Sequence, residues 1–267
     1  MQRSRSTLGR KPSPGLESKV NFEPSKERFA VLHPRHGEGE NFKLLGCIFD
    51  VNLNMDSCVA KILSVARPKI RNLLRSRPYF TEQDLILQFK THIWSFVEYF
   101  TPCIYHCGVT LLDRIDALQI SFLRALDICE EEAFLDHNVA PLNTRRDVAI
   151  LGFLHKCNLG HAHPSLRQLF YRDPLPRTRD NRIFPLLHDR RMFDEHFFDH
   201  MPSLYHKSIF SQIRIYNLLA PAIVNVPSVH EFQSSLMRIV RRKLRAGDRD
   251  WKYALLARHV GHVYSIS

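Results

Sequence analysis

Between Ser57 and Phe80 the chain carries Lys61, Arg67, Lys69, Arg71, Arg75 and Arg77 and not one Asp or Glu. Apolar Ile62, Val65, Ile70, Leu73 and Leu74 interleave with them. A helix with this pattern can pack one face and turn the other to anions. The chemistry on offer is capture of a phosphate backbone. Each neutralised phosphate releases counterions, so such binding weakens with salt, and backbone contacts carry no sequence readout. A second basic set, Arg238, Arg241, Arg242, Lys243 and Arg245, suits an anion but equally suits the C-terminal end of a helix dipole. For both sets the plain alternative is a solvated helix face. The first set can act together only if its members share one face and stay clear of the acids at 127–136.

Other chemistry is less well supported. His155-x-Cys157-x3-His161-x-His163 gathers four potential metal ligands. Zinc takes them tetrahedrally, usually as two separated pairs. Here the first pair is two apart within a helical pattern, so the side chains diverge, and ordinary helix-end and loop residues are expected. Cys103-x3-Cys107 with His106 is no stronger. Asp127, Glu130, Glu131, Glu132 and Asp136 could suggest two-metal phosphoryl chemistry, which needs converging carboxylates. A nearly consecutive run splays them around a helix, so a solvated face or a helix N-terminus is expected. GxSxG, P-loop, GxGxxG and HExxH patterns are absent. No catalytic residue, metal site or cofactor is assigned from these residues.

The elements that must position the basic face come next. The chain has 267 residues, 44% hydrophobic, enough for one large domain or two small ones. The balance of 38 Lys+Arg against 27 Asp+Glu leaves +11, which favours acidic partners. The six cysteines are scattered, so reduced, buried thiols and an intracellular setting, nucleus or cytoplasm, are expected. No apolar run is long enough to cross a membrane. Residues 1–19 are basic and Ser-rich without an apolar signal core, and read as a disordered tail.

Two extended runs follow, Arg28–His33 and Phe42–Phe49, separated by the turn formers 34–41. They read as one β-hairpin with a longish loop. From there the period is helical. The first candidate spans Asp56 to Arg75 with a break at Pro68. The next is capped by Thr81 and presents Leu85, Phe89, Ile93, Phe96 and Phe100. The third carries a weak capping signal at Thr110 and Asp113, with Leu111, Ile115, Leu118, Phe122 and Ala125 inward. A fourth runs Thr144–Leu159 and stops at Gly160. Residues 161–203 read as an irregular linker, with a helix at Leu204–Leu219 beyond it. Ser228 and Glu231 open the last helix, which buries Phe232, Leu236, Ile239 and Val240 and ends at Gly247. The expected fold is mainly α: a helical bundle preceded by a short β-hairpin.

Several strings together resemble the non-LTR retrotransposon reverse transcriptases. Val20-Asn21-Phe22-Glu23-Pro24-Ser25-Lys26 and Phe42-Lys43-Leu44-Leu45-Gly46 through Asp50 are similar to the end of the palm in that family. Ala66-Arg67-Pro68-Lys69 to Arg75 stands where the thumb begins. Gln88 to Tyr99, Leu112 to Arg124, and Ala140 to Asp147 resemble successive helical motifs of the same family. Tyr216-Asn217-Leu218-Leu219 through Phe232 resembles its closing segment, with Leu219-Ala220 in place of Leu-Pro. The resemblance spans about 20–245.

It implies a palm-end hairpin remnant at 20–52, a helical thumb-like domain at 53–160, the linker at 161–203 and a C-terminal helical region at 204–267. It also implies a nucleic-acid contact set of Lys61, Arg67, Lys69, Arg71, Arg75 and Arg77. Lys26, Phe42, Leu45 and Gly46 would be primer-grip relics. Intact members polymerise DNA on RNA with Mg2+ held by a Tyr/Phe-x-Asp-Asp hairpin and one earlier Asp. This chain contains no x-Asp-Asp motif. The expectation is therefore a catalytically incomplete C-terminal fragment, not an enzyme on its own, binding RNA, DNA or their hybrid. The other reading is a helical protein-interaction module that holds an acidic protein.

Overall fold

The computed structural model describes residues 29–33, 35–172, 188–192 and 207–256. The tail at 1–19 and the whole Val20–Lys26 string, Lys26 included, lie outside these residues.

The N-terminal sheet differs from the expected pairing. Among the described residues the two extended runs do not pair with each other. Instead β1 (Ala30–Val31) pairs antiparallel with β2 (Glu38–Gly39), and β3 (Phe42–Leu44) with β4 (Cys47–Phe49). The run 42–49 folds back on itself because Leu45 and Gly46 both take positive φ, 47° and 85°. Two such residues in succession make the tight turn whose twist matches antiparallel strands. Leu45 and Gly46 are thus turn residues and not part of a continuous strand.

Helix α1 (Asp56–Arg75) starts where the Asp50 carboxylate accepts the backbone N–H of Asn54, at 2.9 Å, and of Met55. The expected break at Pro68 does not occur, and the helix runs straight through it. Proline deprives only the Ser64 carbonyl of its helical partner, and Ser64 is exposed to water. Burial of Ile62, Leu63, Ala66 and Ile70 on both sides of the proline holds the helix together.

Thr81 caps α2 (Glu82–Phe89) in a reciprocal box with Asp84. A π-helical turn at Lys90–Trp94 then re-aims the chain into α3 (Ser95–Tyr99), so that Ile93, Trp94 and Val97 all face inward. α4 (Thr101–Ile104) is followed by α5 (Val109–Ala125). The cap of α5 is the Gly108 backbone, and neither Thr110 nor Asp113 takes part.

A short α6 (Glu130–Leu135) precedes α7 (Leu142–Asn158), which is buried over most of its circumference. α7 ends in the expected way. Gly160, at positive φ, donates to Cys157 O, and His161 donates to Lys156 O, closing a Schellman motif. Beyond it come α8 (Pro164–Leu169), α9 (Gln212–Leu218), α10 (Pro221–Val224) and α11 (Val229–Arg245). Ser228 caps α11, and Gly247 closes it with a second Schellman pair. The described parts of 161–203 pack into the body: Phe170, His188 and Met192 are buried, and the Asn217 amide bonds both the N–H and C=O of Met192 at 2.8 Å.

The fold is mainly helical, with two small hairpins in front. One apolar cluster gathers α1, α2, α3 and α5 around Ile62, Phe89, Ile115 and Phe122. A second gathers α7, α9 and α11 around Leu151, Tyr216, Phe232 and Leu236. A buried polar knot lies where the two meet. Asp147 on α7 accepts from Tyr105 OH at 2.9 Å and from Gln212 Nε2 at 3.0 Å.

The cysteines depart from expectation. Cys47 on β4 and Cys103 on α4 form a disulfide. Cys58, Cys107 and Cys157 are buried free thiols, and Cys129 is exposed. The pair was not legible because its members lie 56 residues apart and no spacing pattern connects them. The uniform reduced-thiol expectation is thereby corrected. Among the described residues no helix is long and apolar enough to cross a membrane.

Candidate nucleic-acid interface

α1 and α5 lie side by side in the same direction. Their N-terminal ends share a cavity lined by Asn54, Asp56, Gly108 and Thr110. At the other end Arg77 Nη1 donates to Ala125 O at 2.7 Å. Between these ends runs an open groove of about 640 Å³. Its α1 wall is Arg67, Ile70, Arg71 and Leu74; its α5 wall is Arg114, Ala117, Leu118 and Ser121.

The arrangement follows from helical geometry. Arg67, Arg71 and Arg75 recur every four residues and fall within roughly 80° of arc. Ile70, one step away, plunges into the core. On α5 the small Ala117 and Ser121 keep the groove open, while Leu118 supplies apolar floor. Arg67, Arg71, Arg75 and Arg114 are all exposed. Among the described residues none of these four forms an ion pair or hydrogen bond. A carboxylate is likewise missing from the groove walls.

The other expected members of the set lie elsewhere. Lys61 Nζ donates to Gly46 O at 2.6 Å and so fastens the β3–β4 turn to α1. Lys69 lies on the opposite side of the helix from Arg71. Its ammonium donates to His92 O at 3.3 Å and stands 4.8 Å over the Phe96 ring. Arg77 sits at the end of the groove, with Asp127 3.6 Å from Nη2; both side chains are more than half exposed, so the pair is screened. The α1 set is therefore one file of three arginines, a capping arginine at its end, and two lysines that serve the fold.

Of the primer-grip-like residues, Phe42 stacks on Phe49 across the β3–β4 hairpin, with centroids 5.4 Å apart. Leu45 O accepts from Tyr99 OH at 2.7 Å. Lys26 lies outside the described residues.

The second basic set is mostly tied into the fold. Arg238 bonds Ser235 Oγ at 2.8 Å, Arg241 holds Asn138 and stands 5.0 Å over Phe134, and Lys243 pairs with Asp248 at 3.1 Å. Arg242 and Arg245 are exposed at the helix end.

Arg114 escaped the sequence reading. It sits between Asp113 and Asp116, so its neighbourhood looks neutral. The signal that could have found it is its phase: Arg114, Ala117, Leu118 and Ser121 form one strip of α5.

His155, Cys157 and His163 have structural surroundings. His155 is wholly buried; Nδ1 meets Tyr216 OH at 3.0 Å, Nε2 meets Val226 O at 3.1 Å, and the ring stacks on Phe232 at 4.2 Å. Burial pulls its pKa down to about 4, against the opposing effect of the Val226 carbonyl. Burial pushes the Cys157 thiol up to about 11, so it is held as the neutral thiol. His163 accepts from the Ser165 N–H at the start of α8. Among the described residues no group of three or more His, Cys, Asp or Glu side chains converges as metal ligands would.

The acidic run forms the first turn of α6, Glu130–Glu132, with Glu130 paired to Lys252 at 2.8 Å. These two charges and the buried Arg146–Asp116 fork, 2.6 and 2.8 Å, wall a second cavity of about 390 Å³ beneath α5. Burial alone would lower the Arg146 and Lys252 pKa values, but Asp116 and Glu130 overcome it and raise both. The comparison with known proteins adds no relative: no protein-family model matches the chain, and neither do curated proteins or solved structures.

Proposed function

We propose that the chain binds nucleic acid through phosphates held in the α1–α5 groove, and that it is a catalytically incomplete C-terminal relative of the retroelement reverse transcriptases it resembles. The observation that carries the binding is the carboxylate-free groove, with Arg67 and Arg71 on one wall and Arg114 on the other, and with Arg75 one helical turn further along the α1 file, all exposed. Unpaired guanidiniums in a row suit phosphate oxygens, which they can contact bidentately. They read no bases, so the binding is sequence-tolerant. Descent from a polymerase rests on the order of the motifs from Val20 to Phe232. The absence of any x-Asp-Asp string supports binding without polymerisation.

Gel shifts with RNA, DNA and an RNA–DNA hybrid at about 50 and 200 mM salt test the proposal, that being the range over which backbone-dominated affinity falls steeply. Binding that weakens with salt and disappears in the Arg71→Glu, Arg75→Glu variant is expected. Salt-indifferent binding, or none at low salt, overturns it. Retention of polyglutamate or an acidic protein in place of nucleic acid would assign the same groove to a protein partner.

A further inference from the structure

Beyond the capping Arg77 the chain at the end of the arginine file turns aromatic. Tyr79 comes two residues after Arg77, in the 3-10 turn that follows α1. Tyr79 is 84% exposed and its neighbour Phe80 47%. Neither ring stacks on another ring, and the Tyr79 hydroxyl makes no hydrogen bond among the described residues. The backbone beneath them is firmly set. Tyr79 N–H donates to Ser76 O at 2.9 Å, and the Arg77 guanidinium bridges to Ala125 O and Asp127. Thr81 and its capping box fix the far side.

The charges around the rings matter too. Asp127 stands beside Arg77 in a screened pair, and Glu82 and Asp84 follow Phe80 within four residues. The favourable potential for phosphates therefore fades just where the aromatic surface begins.

We infer that Tyr79 and Phe80 form a stacking platform for unpaired bases at the end of the arginine groove, so that the preferred ligand is single-stranded nucleic acid. The inference rests on the proposed phosphate binding and adds the ligand class. One strand laid along Arg67, Arg71 and Arg75 covers about 12 Å of α1 at 1.5 Å per residue, and Tyr79 follows just past the end of that helix. A base leaving that strand meets an open ring face. A duplex keeps its bases stacked inside and offers none. Stacking tolerates any base because every base has a π-face, and the arginines are equally indifferent to sequence.

Fluorescence anisotropy of the full chain decides the matter with four probes of equal length. These are a single-stranded RNA, a single-stranded DNA, a duplex, and a strand of abasic phosphodiester units. Single strands are expected to bind at least about 5-fold more tightly than the duplex, the size of one base–aromatic stack. Tyr79→Ala should lose about that factor on base-bearing strands and nothing on the abasic strand, and Tyr79→Phe should restore it. Equal affinity for single strand, duplex and abasic strand overturns the platform while leaving phosphate binding intact. No binding of any probe at low salt, or none lost in Arg71→Glu, overturns the underlying reading instead. Tyr79 is exposed, so its variants should melt with the wild type, and a 5-iodouridine strand should photo-cross-link to Tyr79.

Discussion

α1 and α11 have similar composition and put their cations to different use. Each carries a run of Arg and Lys opposite an apolar stripe. On α11 three of five cations, Arg238, Arg241 and Lys243, are engaged by Ser235, Asn138 with Phe134, and Asp248. On α1 the two lysines are engaged, but the arginines at 67, 71 and 75 are not, and Arg114 faces them from α5. The difference shows that a basic run is an inventory. Its availability depends on what the fold brings opposite.

Acid should separate the two regions most sharply. His155 stacks on Phe232 of α11, with Tyr216, Arg190 and His161 around it. Its folded pKa is about 4 against 6.5 for the free side chain, so the unfolded chain binds more protons between those values. The stabilisation is complete above pH 6.5 and is lost as pH falls toward 4, on the order of 3 kcal/mol in all. Denaturant titrations at pH 7, 5.5 and 4 should show that loss, and His155→Phe should flatten it. His155 is not among the groove residues, so binding should persist as long as the chain is folded. A stability that does not change across the window would break this half of the comparison.

The next largest effect is on binding. Arg67→Ala with Arg71→Ala should cost about 10-fold in affinity at low salt and lower the log–log salt slope by about 1.4 to 1.8. Thermal stability should hardly change, because both side chains are exposed. Arg241→Ala should do the reverse, costing about 1 kcal/mol of stability for a lost hydrogen bond and cation–π contact, with affinity within twofold. Smallest of all is Arg242→Ala with Arg245→Ala, which should move stability by less than about 0.5 kcal/mol and affinity by less than twofold. A larger drop in affinity there would make α11 a second binding face.

Much of this frame was readable in the chain itself. The helical stripes of α2, α5 and α11 follow from spacing, as do the stops at Gly160 and Gly247. So does the cationic wall of α1. What sequence could not supply was the identity of the partners. Lys61 is held by the carbonyl of Gly46, Lys69 by that of His92, and Arg77 meets Asp127, all contacts across sequence distances that periodicity does not see. The β3–β4 turn was missed because Leu45, a residue with no turn propensity, occupies a positive-φ position beside Gly46. The continuity of α1 through Pro68 reflects tertiary packing overriding local preference. Arg114 was hidden by the aspartates on either side of it, although they point to another face of the same helix.

The shared direction of α1 and α5 has a consequence of its own. Neighbouring helices that run opposite ways cancel much of each other's dipole; these two add. Both amide-rich ends open at the mouth near Gly108, and both carbonyl-rich ends emerge near Ala125, where Arg77 spends a guanidinium N–H on one of those carbonyls. The groove consequently has a head and a tail. A polymer with its own 5′-to-3′ sense has two unequal ways to lie along it, a distinction that three evenly spaced arginines could never impose alone.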